Sequence, residues 1–322
     1  MTDGQNRKPL VLAVVGPTGT GKSETAIHLA KALSGIQILS MDSMQVYRGL
    51  DIGTAKISPA GMDGIPHHLL DLAEPDSIYT VSDYRRDAGE CIDRLCAEGQ
   101  LPMLVGGTGF YLNALSYELT MGDEGADPAL RESLNRIAET EEGRQALFDR
   151  LKSIDPESAA KLHPNDVHRV VRAIEIYETT GMRKSEQVPN PEGPYHMLIY
   201  GLSMDRERLY RKLNSRVDRM LDAGWLQEVK DLMGRGIRFD RTDGGVSQAI
   251  GYPELAEVLS GSMPMDAAVE RIKRNTRRYA KRQWTWFRHD PRVVWFELEA
   301  YPDAAALEQA MLERIRSDIA AY

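Results

Sequence analysis

Cysteine is scarce in this chain, which carries only Cys91 and Cys96 among its 322 residues. Two thiols cannot build a disulfide framework, and at this spacing, without neighbouring histidines, they make a poor zinc site. We therefore expect a protein of a reducing, cytoplasmic setting.

Long apolar runs are also missing. No stretch approaches the roughly 18 residues needed to span a membrane, and the polar segment 1–9 lacks the apolar part of a secretory signal. No membrane partner is therefore expected. The length and the 42% hydrophobic content favour one large domain and a smaller one.

Acidic residues are absent from the segment 271–288, although the chain as a whole has a net charge of −8. This segment carries eight basic residues interleaved with aromatic ones, and Arg274, Arg278 and Arg282 recur every four residues as one helical stripe. Such a stripe is usually a solvated face. Cations without neighbouring acids repel each other, however, so we favour a nucleic-acid backbone as the partner.

The clearest pattern present is GPTGTGKS at 16–23, directly after the apolar run Leu10–Val15. It fits G-x-x-x-x-G-K-[ST], the phosphate-binding loop, between a buried strand and a helix. Backbone N–H groups of this loop, the helix N-terminus and Lys22 attract oxyanions, and the Ser23 hydroxyl can reach Mg²⁺. The sequence therefore predicts a phosphorylated ligand.

Apolar strand-like runs alternate with helical patterns. Residues 10–15, 36–40 and 102–105 are such runs, and each ends in a small polar turn. This order predicts an α/β fold of the P-loop type with a doubly wound parallel sheet.

The segment 121–194 is charged and helix-forming and has no strand signal before residue 195. We interpret it as a helical insertion domain. Residues 1–120 and 195–322 would then form the P-loop core with a helical C-terminal region.

Polar residues follow the second and third runs, where parallel sheets bind ligands. Asp42 is placed to bind Mg²⁺ or act as a general base, although an aspartate there can simply cap a turn. Gln45 carries the donor and acceptor needed to read a base edge. Thr108 lies in GGTG, either opposite the phosphate loop or in an ordinary turn. No acid ends the third run, which weighs against a hydrolytic NTPase.

Several segments form one pattern: GPTGTGKS at 16–23, DSMQVYRGLDIGTAK at 42–56, PHHLLD at 66–71, YRRDA at 84–88, GGTGFYL at 106–112, VHRVVRAIEIYETTG at 167–181, AIGYPE at 249–254 and TRRYAKRQWTWFR at 276–288. In this order, over nearly the whole chain, they resemble the bacterial tRNA dimethylallyltransferase family of isopentenyl transferases. DSMQVY…GLDIGTAK and YAKRQ-x-TWFR are specific to that family, whereas the phosphate loop alone is not. The loop departs from the family in reading Gly19-Thr20 where Ala-Ser is frequent.

The resemblance implies transfer of the dimethylallyl group from dimethylallyl diphosphate to N6 of adenosine 37, next to the tRNA anticodon, with Mg²⁺ as cofactor and Ser23 as its ligand. Asp42 would take the N6 proton, and Thr108 and Arg216 would stabilise the departing diphosphate. The implied diphosphate contacts are Gly16, Thr18, Gly19, Thr20, Gly21, Lys22 and Ser23. The implied tRNA contacts are Ser43, Met44, Gln45, His168, Arg169, Arg172, Arg274, Arg278, Lys281 and Arg282.

The implied partners are the anticodon stem-loop of tRNA and dimethylallyl diphosphate, and we expect a monomer. Three alternatives stay open: an adenylate isopentenyltransferase acting on free AMP, ADP or ATP, a P-loop kinase, and an RNA-binding module with a structural loop. The basic segment argues against the first and the lack of an arginine-rich lid against the second. The complete loop with Asp42 and Thr108 argues against the third.

Overall fold

The computed structural model describes residues 7–117, 127–186, 193–241 and 244–322. The chain divides into two compact units, a larger one of Met1–Leu115 with Pro194–Tyr322 and a smaller one of Ser116–Gly193. The smaller unit contains the segment predicted to be an insertion except for its last residue. The predicted border between residues 120 and 121 lies outside the described residues.

A parallel sheet forms the centre of the larger unit. Its strands in the described chain are β1 Leu10–Val15, β2 Ile36–Met41, β3 His67–His68, β4 Leu101–Gly106, β5 His196–Ser203 and β6 Val293–Glu297. Their order across the sheet is β3-β2-β4-β1-β5-β6, and every pairing is parallel. The predicted α/β class and parallel sheet are thereby confirmed, and the two-residue β3 is an addition that the sequence pattern did not reveal.

The helices lie along the chain as follows: α1 Lys22–Ala32, α2 Val81–Ala97, α3 Gly109–Ser116, α4 Pro128–Ile137, α5 Glu141–Ile154, α6 Pro156–Ala160, α7 Val167–Thr180, α8 Arg206–Asp222, α9 Trp225–Gly234, α10 Tyr252–Leu259, α11 Met265–Arg288 and α12 Ala304–Ala321. None of those in the described residues is both long and apolar enough to cross a membrane.

Side chains of β1 alternate between two hydrophobic cores, one on each face of the sheet. Val11, Ala13 and Val15 pack with α2 and α3 on one face, whereas Leu12 and Val14 pack with α1 and α12 on the other. This alternation follows from the pleat of the strand, and the continuous apolar run follows from burial on both faces.

The register of the sheet brings three strand ends to the same level. Gly106 of β4 is paired with Val15 of β1 on one side and with Met41 of β2 on the other. A Cβ on Gly106 would lie 2.0 Å from the carbonyl oxygen of Met41, so only glycine fits there. The segments that follow these three strands therefore start side by side.

The smaller unit has its own core. Leu134 of α4, Leu147 and Leu151 of α5, and Val170 of α7 are buried together. Glu175 of α7 is fully buried as well. Its carboxylate accepts two hydrogen bonds from Arg131, at 2.9 and 3.0 Å, one from Arg172 at 2.8 Å and one from the backbone N–H of Asp127 at 3.0 Å. A buried carboxylate needs such partners, because its charge is otherwise strongly disfavoured away from water.

Candidate active site

The loop between β1 and α1 has the backbone conformation that its glycines predict. Gly16, Gly19 and Gly21 have φ values of 133°, 87° and 103°, which side-chain-bearing residues rarely adopt. A Cβ on Gly16 would lie only 2.3 Å from the carbonyl oxygen of Leu202 in β5. The loop therefore packs tightly against the sheet and leads straight into the N-terminus of α1.

Lys22 is buried and points back into this loop. Its Nζ donates a hydrogen bond to the carbonyl oxygen of Pro17 at 2.8 Å. The pKa of Lys22 is lowered to about 7, mainly by burial and then by the positive charge of Arg216, while the negative charge of Asp42 opposes both effects. An anion bound in the loop would favour the charged lysine.

The two hydroxyl residues of the loop and helix start differ in exposure. Thr20 is buried, and its Oγ1 donates to the carbonyl oxygen of Pro17 at 3.0 Å. Ser23, in the first turn of α1, is exposed. Ser23 therefore offers the accessible hydroxyl, whereas Thr20 holds the shape of the loop.

Asp42 follows β2 and stabilises the turn that comes after it. Its Oδ1 accepts hydrogen bonds from the backbone N–H groups of Met44 at 2.9 Å and Gln45 at 3.3 Å. Within the described chain its other oxygen, Oδ2, has no hydrogen-bond partner. The turn therefore leaves one oxygen of this carboxylate available for another partner.

Thr108 follows β4 and is tied to the segment after β2. Its Oγ1 accepts a hydrogen bond from the backbone N–H of Ser43 at 3.1 Å. Tyr279 of α11 lies close to Thr108, and its pKa is raised by burial and then by the charge of Asp42. The Thr108 hydroxyl thus lies beside Asp42, as the level strand ends require.

A cavity of about 420 Å³ opens at these strand ends, and all of its lining residues belong to the larger unit. Thr18, Asp42 and Arg216 form a polar, charged part of the wall. Burial lowers the pKa of Arg216, and the charge of Asp42 opposes that shift. The apolar part of the wall comes from Leu213, Val217, Met220, Trp225, Ile250 and Tyr252. Such a cavity suits a ligand that joins an anionic group to an apolar one.

Gln283 is a site residue that the sequence did not reveal, because it stands within the basic and aromatic motif at 276–288. It is buried in α11. Its Oε1 accepts from the backbone N–H of Thr18 at 2.8 Å, and its Nε2 donates to the carbonyl oxygen of Gly107 at 3.0 Å. One side chain therefore joins the phosphate loop to the GGTG turn. The charge pattern of the helix gave no sign of this contact.

The structure gives Gln45 a different place from its neighbours Ser43 and Met44, which line the cavity. The Gln45 Oε1 accepts from the Ser40 hydroxyl at 3.1 Å, and its Nε2 donates to the carbonyl oxygen of Thr54 at 3.2 Å. Gln45 is not part of the cavity wall. Reading a base edge would require it to give up these internal bonds.

The basic helix α11 is less uniformly charged than its sequence indicates, because acids from other elements reach it. Lys273 pairs with Asp218 at 2.6 Å, Arg271 with Glu257 at 3.1 Å and Arg288 with Glu297 at 2.9 Å. Arg277 donates to the Asn214 side chain. The expectation of eight uncompensated cations is therefore wrong for the three positions with acidic partners, whereas Arg277 meets only a neutral amide.

The remaining cations of α11 are those predicted to contact tRNA: Arg274, Arg278, Lys281 and Arg282. All four are exposed, and no carboxylate of the described chain lies within ion-pair distance of them. Arg282 also lines the cavity and lies over the ring of Tyr279, 5.6 Å from its centroid. Free cations thus remain on α11, and one of them, Arg282, reaches the cavity.

The three predicted tRNA contacts of the smaller unit lie on α7. Arg169 is exposed and pairs with Asp166 at 3.2 Å, whereas Arg172 pairs with the buried Glu175. His168 is exposed as well, and its pKa is lowered by partial desolvation of the ring and then by the charge of Arg131. Arg172 therefore has a clear structural role, and the tRNA contacts of all three stay predictions.

The described residues offer few ligands for a metal ion, so a bound metal ion would be held largely by the phosphates of the substrate. In the described part of the chain, no group of three or more His, Cys, Asp or Glu side chains is arranged to hold an ion. The exposed Ser23 hydroxyl beside the phosphate loop still fits Mg²⁺, which keeps several waters and binds substrate phosphates through few protein ligands.

Comparisons with known proteins agree with this architecture. The family model IPP transferase matches residues 45–290, and the model Isopentenyl transferase matches residues 9–76. The tRNA dimethylallyltransferase of Oceanobacillus iheyensis is 45% identical over 91% of this chain and 92% of its own length. That of Bacillus subtilis is 44% identical, with 91% and 92% covered.

Two solved structures extend the comparison to three dimensions. The full-length tRNA isopentenylpyrophosphate transferase from Bacillus halodurans has a TM-score of 0.72 and 43% identity, covering 96% of each chain. A eukaryotic dimethylallyltransferase acting on tRNA has a TM-score of 0.77 and 29% identity, covering 94% of this chain and 78% of that one. The chain belongs to the IPP transferase family and shares its P-loop-type α/β fold, as the resemblance of its motifs predicts.

Proposed function

We propose that this chain transfers the dimethylallyl group of dimethylallyl diphosphate to N6 of adenosine 37, beside the anticodon of tRNA. The proposal depends chiefly on one observation, the cavity at three level strand ends. There a phosphate loop, a carboxylate with a free oxygen and an apolar wall meet. These parts suit a prenyl diphosphate and an amine that must lose a proton.

The leaving group would be held by the loop of residues 16–23. Its backbone N–H groups, the N-terminus of α1, Lys22 and Arg216 are arranged to stabilise the negative charge that develops on the diphosphate as the C1–O bond breaks. Ser23 would hold Mg²⁺, which neutralises phosphate charge when bound. The Thr108 hydroxyl, next to Ser43, adds a further donor.

The acceptor would be activated by Asp42. N6 of the adenine attacks C1 of the prenyl group, diphosphate departs, and the N6 proton passes to Oδ2 of Asp42. The apolar wall around Trp225 and Val217 shields the cationic C1 from water. An adenine inside a stacked loop cannot reach this carboxylate, so the base must leave its stack.

The tRNA would be held by the free cations of α11 and by α7 of the smaller unit. We also propose that the protein acts as a monomer in the cytoplasm. Cys91 and Cys96 are unpaired thiols, as a reducing compartment favours.

The test is an incubation of the purified protein and Mg²⁺ with labelled dimethylallyl diphosphate, together with tRNA, AMP or ATP. We expect label in tRNA only, with release of diphosphate and a five-carbon addition to one adenosine by mass spectrometry. Labelled AMP without tRNA would instead identify an adenylate isopentenyltransferase. Phosphoryl transfer from ATP would identify a kinase.

A further inference from the structure

Two aromatic side chains form an exposed pair beside the active site. Phe110, the second residue of α3, is 59% exposed, the largest value among the big apolar side chains of the described residues. Its ring lies 4.5 Å from that of Trp286, centroid to centroid, at an angle of 50°. Trp286 is in the last turns of α11 and is partly buried.

Trp286, one member of the pair, is held in place by the residues on which it packs. Trp286 lies directly over Gly109, where an added Cβ would come within 2.1 Å of the indole Nε1. Trp286 also packs against the core between the sheet and α2. The fold therefore fixes Trp286, whereas Phe110 keeps most of its ring in solvent. An exposed aromatic ring on a rigid base is suited to contact with a partner.

The position of the pair relates it to the reaction. Phe110 follows Thr108 by two residues, and Thr108 is bonded to the cavity-lining Ser43. Trp286 follows Arg282 by four residues, so the two neighbour each other on one side of α11. Arg282 lines the cavity and continues the free cations Arg274 and Arg278. The aromatic pair thus lies near the cavity, at the end of the row of cations formed by Arg274, Arg278 and Arg282.

We propose that Phe110 and Trp286 form a stacking platform for the base of a nucleotide adjacent to the target adenosine. This inference rests on the proposed function, because it takes single-stranded RNA as the partner. Extruding one base removes a stacking partner from its neighbours, and an aromatic face can replace that partner. The cations beside the pair attract the phosphates of the same strand. Stacking on an aromatic ring beside phosphate-binding cations is a common way of holding single-stranded RNA.

The experiment measures the Kd of an anticodon stem-loop RNA for the wild type, Phe110→Ala, Phe110→Tyr and Trp284→Ala. Trp284 is a matched control because it is also exposed, at 41%, and lies on α11 two residues before Trp286, on another side of the helix. The same variants are also measured with two abasic RNAs, one lacking the base immediately 5′ of the target adenosine and the other lacking the base immediately 3′ of it. Binding of dimethylallyl diphosphate and thermal unfolding are followed in parallel.

We expect Phe110→Ala to weaken RNA binding about tenfold, while Phe110→Tyr and Trp284→Ala stay near the wild type. On one of the two abasic RNAs, Phe110→Ala and the wild type should bind with equal affinity. The affinity for dimethylallyl diphosphate and the melting temperature should not change. A loss of equal size on both abasic RNAs, or no loss on the intact RNA, would overturn the platform. If the wild type fails to bind or prenylate tRNA, the proposed function itself is wrong, which is a different result.

Discussion

Asp42, Lys22 and Arg216 form the charged part of the cavity, and each depends on the others. Burial lowers the pKa of both cations, and the negative charge of Asp42 opposes the shift in each case. One carboxylate therefore partly compensates a buried and a half-buried cation before any ligand arrives. A bound diphosphate would supply the remaining negative charge.

Replacing Asp42 by asparagine tests its role as a base. Asn keeps an oxygen for the N–H of Met44, so the turn should persist, but it cannot accept a proton from N6. We expect single-turnover prenyl transfer to fall by about 10²- to 10⁴-fold while the Kd for tRNA stays near the wild-type value. Asp63→Asn, at an exposed ion pair with Lys31, is the control. Nearly normal transfer by Asp42→Asn would contradict the assignment.

The lowered pKa of Lys22, about 7, predicts how donor binding depends on pH. Above pH 7 the free protein has largely lost the Lys22 proton, and the anion must recover it on binding. Affinity for dimethylallyl diphosphate should therefore fall between pH 7.5 and 9, by at most about tenfold per pH unit for one proton. Titration calorimetry in a buffer with EDTA measures this affinity in the absence of metal ions. Lys22→Met should bind weakly with little pH dependence, and a wild type equally insensitive to pH would refute the prediction.

Helix α11 serves the site with two different sides. Thr276, Tyr279 and Gln283 face the cavity and its loops, while Arg274 and Arg278 are exposed to solvent. Residues three or four apart share a side of a helix, so each of these two sets forms a row along α11, and the two rows run next to each other. RNA held on one row would thus lie next to the loops that the other row positions.

Gln283→Leu should uncouple the loops without changing the charge of the helix. It leaves the N–H of Thr18 and the carbonyl of Gly107 without their partner, and unsatisfied buried groups cost about 1–3 kcal/mol each. We expect the KM for dimethylallyl diphosphate to rise about tenfold or more, with the Kd for tRNA little changed. Thr285→Ala, at an exposed position of the same helix, is the control. An unchanged KM would show that the loops keep their positions unaided.

The free cations of α11 are tested by Arg278→Gln combined with Arg282→Gln. If both contact phosphates, the double variant should bind tRNA more weakly, and the slope of log Kd against log salt should fall by roughly 0.7–0.9 for each lost contact. Arg314→Gln with Arg316→Gln on α12 removes the same charge elsewhere. Equal slopes for the two double variants would mean that this side of α11 does not meet the RNA backbone.

At the scale of the whole molecule, the two compact units have separate hydrophobic cores. Residues of the cavity belong to the larger unit, so its chemistry can be built without side chains of the smaller one. The smaller unit instead depends on an internal ion cluster around Glu175, which is fully buried. Damage to that cluster should remain local.

Glu175→Gln should destabilise the smaller unit, because Arg131 and Arg172 lose their charged partner. Both arginines are partly exposed, so water offsets part of the loss, and we expect a cost of about 1–3 kcal/mol. Hydrogen exchange should accelerate in α4, α5 and α7 while β1 and β4 stay protected. Glu157→Gln removes only an exposed pair with Lys161 and should have little effect. Equal acceleration in both units would show that they unfold together.

Local pattern was sufficient for much of the fold. The apolar run Leu10–Val15 and the glycines of GPTGTGKS define a strand and a loop by themselves, since burial on both faces and positive φ each select particular residue types. The α/β class and the family followed from such segments and are confirmed. The two-residue β3 was not predictable, because its pairing with β2 depends on the sheet rather than on its own residues.

The sequence by itself determined the phosphate loop, the candidate carboxylate at Asp42 and the row of cations on α11, because each is written in neighbouring residues. Only the tertiary structure decided which of them act together. It gave Gln45 internal partners, joined Gln283 to two loops and supplied acidic partners to three of the eight cations of the basic helix. These outcomes depend on groups far apart in the chain, and hydrogen bonds and ion pairs between such groups leave no local pattern to read.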